Sequence, residues 1–85
     1  MSVYVDEPQT SNHGWCHLIA DSLEELHAFA AMLHLKRAWF QPRSWPHYDL
    51  TVAKRTSAVR KGAIEIANRQ AIELLRTNYQ RPQGA

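Results

Sequence analysis

The sequence predicts an α/β fold, a small sheet of three to four short strands, at least partly parallel, with three helices. Three features predict it. Short β-rich runs occupy residues 2–6 and 15–20, a capped amphipathic helix follows over 22–34, and strands and helices alternate along the chain.

Val3 and Val5 alternate with Tyr4 and end in Asp6, which reads as a first strand, and the turn formers from Pro8 to Gly14 read as a loop. Trp15 to Ala20 is apolar except for His17, and its bounds at Gly14 and Asp21 make it a buried second strand. Ser22-Leu23-Glu24-Glu25 is a capping box. Leu23, Leu26, Phe29, Ala30 and Leu33 then recur at threes and fours, giving the first helix one apolar stripe.

Arg37 to Gln41, with Ala38, Trp39 and Phe40 before Pro42, reads as a third strand, reached from the second by a right-handed parallel crossover. The loop from Pro42 to Pro46 delivers His47, Tyr48 and Asp49 to a second helix capped by Thr51 and stopped at Gly62, with Val52, Thr56 and Val59 on one face. Ala63 to Ile66 is short and β-branched. Asn68 caps a last helix with Ala71, Ile72, Leu75 and Tyr79 on its buried side. The expectation is one domain over residues 1–80 and a frayed tail over 81–85.

With 45% hydrophobic and 21% charged residues among 85, the composition is that of a globular chain with neither disorder nor a membrane span. No basic region leads into an apolar run, so a secretory signal is not expected, and Cys16 is the only cysteine. That excludes an internal disulfide and a zinc site of several thiolates, and points to a reducing, cytoplasmic setting. The net charge of +2 supports nucleic-acid partners only weakly. Three glycines, Gly14, Gly62 and Gly84, write neither a dinucleotide fingerprint nor a P-loop.

Val3-Tyr4-Val5-Asp6, Trp15-Cys16-His17-Leu18, Ala20-Asp21-Ser22-Leu23-Glu24-Glu25-Leu26-His27-Ala28-Phe29-Ala30, Trp39-Phe40, His47-Tyr48-Asp49-Leu50-Thr51, Lys54-Arg55 and Gly62-Ala63 together resemble one family. It is the set of short bacterial and phage proteins grouped as domain of unknown function 4031. The resemblance implies a bacterial or phage origin and a shared fold, and assigns no catalytic residue. It also implies a glycine at the end of the first helix, where this chain has His34, which must then turn left-handed.

Ligands of open α/β sheets bind beyond the carboxyl ends of the strands. Asp6, Asp21, His47 and Asp49 are expected there, converging on one crevice. Two carboxylates and an imidazole can hold a divalent metal, so Asp6, His47 and Asp49 are the candidate metal ligands and the candidate catalytic residues. The bland alternative puts Asp6 in water, Asp49 at the second helix cap, and His47 on a backbone partner. Lys54 and Arg55 follow the Thr51 cap, where a phosphate could sit, and Trp45 and Tyr48 beside cations suit stacked bases. His17 and Asp21 complete the candidate ligand-binding set.

Cys16 and His17 are neighbours on a strand, so they face opposite ways and cannot form a nucleophile and base pair. His27 beside the apolar stripe reads as a packed histidine, and His13 as a loop residue. Two functions follow. One is the binding or hydrolysis of a phosphate-bearing ligand, a nucleotide or nucleic acid. The other is protein interaction through Trp39, Trp45 and Tyr48, with a host protein or a second copy as partner.

Overall fold

The computed structural model describes residues 2–8, 14–42 and 45–79. In chain order it comprises β1 (Val3–Val5), β2 (Cys16–Ala20), α1 (Leu23–Met32), a 3-10 turn (Arg37–Trp39), β3 (Tyr48–Leu50), α2 (Val52–Arg60), β4 (Ile64–Glu65) and α3 (Asn68–Tyr79). The sheet order is β3-β2-β1-β4. β2 runs antiparallel to both β1 and β3, and the parallel pair is β1 with β4. The expected tail over 81–85 and His13 lie outside the described residues.

Side-chain alternation divides the sheet into two faces. Val5, Cys16, Leu18, Ala20, Tyr48 and Leu50 pack with Leu26, Ala30 and Leu33 of the α1 region and Ala58 of α2. Full burial of leucines such as Leu18 and Leu26 contributes roughly 1.5–3 kcal/mol each. Ile19 packs on the other face with Ala71 and Leu75 of α3, bordered by Tyr4, Trp45 and Tyr79. His17 and Asp49 alternate with inward-facing neighbours and so share the α3 face, directly opposite one another in the β2–β3 register.

The expected helix signals operate. The Ser22 hydroxyl accepts from the Glu25 amide at 3.2 Å, and the Glu25 carboxylate closes the box on that hydroxyl at 3.0 Å. Thr51 accepts from the Lys54 amide at 3.2 Å. Gly62 ends α2 at φ 111. His34 takes the left-handed conformation at φ 62, while its amide bonds the Ala31 carbonyl and that of Leu35 bonds Ala30. The last turn of α1 is thereby closed, with an imidazole where glycine would be unstrained.

The third strand is not where the apolar run suggested. Arg37–Trp39 forms a 3-10 turn that leaves Trp39 half in water and sets Phe40 edge-on to His27. Gln41 makes a single antiparallel bridge to His47. The strand itself is Tyr48–Leu50, in which two buried residues flank Asp49 in the period of two that a strand requires. With β3 antiparallel to β2, the expected parallel crossover between them is replaced by an antiparallel return. On α2, Val52 is exposed and Ala58 is the buried contact.

Candidate functional site

Antiparallel pairing of β1 and β2 brings the end of one to the start of the other. Asp6 therefore meets His17, and its amide bonds the His17 carbonyl at 3.2 Å. The Asp6 side chain, 4% exposed, accepts from the His17 amide at 2.6 Å and from His17 Nδ1 at 2.7 Å. This hydrogen bond raises the His17 pKa above its ordinary value, against an opposing effect of burial. Asp6 is thus not the solvated strand end of the bland alternative.

His47 enters from the residue before β3. Its Nδ1 lies 2.6 Å from the Trp45 carbonyl, which can only accept, so Nδ1 carries the proton. Asp6 imposes the same tautomer on neutral His17. In both rings the Nε2 lone pair is left free for a ligand, and both Nε2 atoms lie near Asp49 Oδ1, at 3.8 Å for His17 and 3.4 Å for His47. The two rings stand edge to face with centroids 4.9 Å apart.

His17, His47 and Asp49 each offer one ligand atom within 4.8 Å of the others. A tetrahedral ion with bonds of ~2.0–2.1 Å spaces its ligand atoms ~3.3 Å apart. The Asp49 contacts of 3.8 and 3.4 Å stand close to that spacing, whereas the three ligand atoms as a set lie only within 4.8 Å of one another, so the two imidazoles would also have to draw together. Two imidazoles and one carboxylate form the donor set of open divalent transition-metal sites, and the Asp6 carboxylate and Trp45 carbonyl are the outer partners that fix ring orientation. The Gln41 side-chain amide donates to Asp49 Oδ2, leaving Oδ1 toward the imidazoles.

The expected metal set is therefore rearranged. His47 and Asp49 remain in the group of side chains that could hold an ion, His17 takes the place expected for Asp6 in that group, and Asp6 instead bonds the His17 ring. Asp49 does not cap α2, since Thr51 does. Asp21 lies at the far end of the sheet, accepting from the Ser2 amide at 2.8 Å, the Tyr4 hydroxyl at 3.1 Å and Asn78 at 3.1 Å. Tyr48 is buried, its hydroxyl 2.8 Å from His27 Nδ1, and is not available to a ligand. Burial lowers the His27 pKa, with Arg37 adding to it, as suits the packed histidine its position suggested.

The two expected phosphate cations part company. Arg55 donates to the Asp6 carbonyl at 2.8 Å and to Glu65 at 3.1 Å, tying α2 to the ends of β1 and β4. Lys54 donates to the Leu33 carbonyl at 2.6 Å and borders a cavity that Asp49 also lines. Cys16 is buried behind the sheet, its thiol pushed up to about 11 by burial, and it cannot serve as a nucleophile for His17.

Trp45, Asp6, His17 and His47 line a cavity of about 370 Å³, together with Ile72 and Leu75 of α3. A family model described as "Protein of unknown function (DUF4031)" matches residues 3–78. The chain belongs to this family. No curated protein and no solved structure matches it. Every member of the His17–His47–Asp49 cluster, with Asp6 behind it, falls within the DUF4031 match. Among the described residues, no helix is long and apolar enough to cross a membrane.

Gln41 and Asn68, both on the site's borders, were not expected there. Gln41 gives no sequence signal, since it reaches Asp49 only through the bridge to His47. Asn68, expected to cap the last helix, is instead its first residue and accepts from the Glu7 amide at 3.1 Å, and its place in the cavity wall gave no sequence signal.

Proposed function

We propose that this protein binds one divalent transition-metal ion through His17 Nε2, His47 Nε2 and Asp49 Oδ1, and uses it to bind a phosphate-bearing ligand, a nucleotide or nucleic acid. The observation that carries this reading is the shared tautomer. Each imidazole spends its Nδ1 proton on a fixed acceptor, so both remaining nitrogens face one carboxylate oxygen. Three protein ligands leave a coordination position for a ligand oxygen or a water.

The ion supplies the positive charge that Arg55, committed to Asp6 and Glu65, does not bring. A water in the open position would be acidified toward neutral pH, which equips the site to hydrolyse a phosphate ester: water oxygen bonds phosphorus, the ester P–O bond breaks, and the alcohol leaves with a proton. Zinc and inorganic phosphate test the binding step by calorimetry. One zinc per chain, with phosphate binding only the zinc-loaded protein, supports the reading. Zinc binding that survives in His17→Ala and His47→Ala alike, or phosphate binding that ignores zinc, would contradict it.

The protein-interaction alternative retains Trp39, which is 52% exposed, but loses Tyr48 to the core. Its aromatic set no longer forms one surface, so the metal reading stands ahead.

A further inference from the structure

Asp49 borders a second cavity, of about 550 Å³, which the metal reading does not use. This volume lies within the ~300–1,000 Å³ of small-molecule sites. Its walls include Trp15 and Trp39, which are 39% and 52% exposed, together with Phe40. Large rings left this far in water beside a concave space offer flat faces on which a planar ring can stack.

The charge around these rings is positive. Lys36 Nζ lies 5.5 Å from the Trp39 ring centroid. Lys54 lines the cavity, and its Nζ donates one of three protons to the Leu33 carbonyl, which leaves two for a further acceptor. Thr51 and Gln41 add neutral polar groups to the same wall, suited to the edge of a heterocycle. Among the described residues, Asp49 is the one acidic member of the wall, and an ion on its Oδ1 would offset its charge. Aromatic faces, the Lys54 cation on the wall, Lys36 beside the Trp39 ring and the carboxylate proposed to hold the ion favour a planar heterocycle joined to an anionic group.

We infer that the Trp15–Trp39 cavity is a base-binding subsite that takes the planar ring of a nucleotide, with the phosphate directed to Lys54 and the ion on Asp49. The inference rests on the metal reading for the phosphate end alone. The ring end stands on the cavity itself.

Tryptophan fluorescence tests it in the Trp45→Phe protein, in which Trp15 and Trp39 are the remaining indoles. Adenosine 5′-monophosphate, adenosine and ribose 5-phosphate are titrated with and without zinc. The expected result is saturable quenching by the two adenine compounds and none by ribose 5-phosphate, with zinc tightening the nucleotide at least tenfold and the nucleoside little. Trp39→Ala, at an exposed position, is expected to weaken both adenine compounds at least tenfold while leaving zinc binding unchanged. Equal binding of ribose 5-phosphate and the nucleotide, or nucleotide affinity indifferent to Trp39→Ala, would overturn the base subsite. Nucleotide quenching that depends on Trp39 but is no tighter with zinc would uphold the ring end of the subsite and overturn the reading that the ion holds the phosphate.

Discussion

Asp6 and Asp21 each follow a strand, yet the two ends of the sheet use them differently. Asp21 satisfies the chain's own donors, the Ser2 amide, the Tyr4 hydroxyl and Asn78, so it fastens the start of β1 and the end of α3 to the end of β2. Asp6 gives both oxygens to His17, one to the backbone and one to the ring, and the ring turns its other nitrogen toward Asp49. A carboxylate that binds backbone and phenol serves stability, whereas one that binds an imidazole sets the state of a further group.

That contrast is broken or sharpened by exchanging one oxygen for an amide at each end. Asp6→Asn leaves one acceptor for two His17 donors and is expected to weaken zinc binding 10–100-fold, the usual cost of losing an outer-shell partner. Unchanged zinc affinity by calorimetry would remove Asp6 from the site. Asp21→Asn is expected to leave zinc affinity unaltered and to lower unfolding free energy by about 1–3 kcal/mol in urea, through unsatisfied partners. A loss of zinc affinity there would erase the distinction between the ends.

The histidines sharpen it further. The His27 pKa is lowered on folding, first by burial and then by Arg37, so the unfolded chain binds its proton more readily. His27 therefore supports stability above its unfolded pKa of about 6.5, and that support is lost as pH falls through the lower folded value. Urea midpoints measured across this range should fall less on acidification in His27→Gln than in the native chain. An equal fall in both would show that His27 does not titrate in this way. The smallest effect is expected at His34, whose φ of 62 favours glycine. His34→Gly should raise unfolding free energy by about 1 kcal/mol and leave zinc affinity alone, and a lowered denaturant midpoint would contradict the strain.

Much of the fold was legible because local chemistry fixed it. The Ser22 box, the Thr51 cap and Gly62 act as their residue types dictate, and β1, β2 and α3 lie where alternation and apolar stripes place them, although Ile72, expected on the buried side of α3, is 41% exposed. Ala38, Trp39 and Phe40 misled because a short apolar run has no period, and the ring contact of Phe40 with His27 is a tertiary feature that the run itself does not encode. Tyr48–Leu50 carried the true alternation in three residues, too few to outweigh the prolines before it. The site was half legible. His47 and Asp49 stand out as polar residues near a helix start, but the exchange of His17 for Asp6 depends on the antiparallel β1–β2 register, which pairs residues far apart in the chain and leaves no local signature.

The central claim is that one ion sits between His17, His47 and Asp49, with Asp6 behind it. Anomalous diffraction at the zinc edge from crystals of the zinc-loaded protein tests it most directly. The account predicts a single strong peak bonded at ~2.0–2.1 Å to His17 Nε2, His47 Nε2 and Asp49 Oδ1. A peak on the Asp6 carboxylate, or none within reach of both imidazoles, would contradict it.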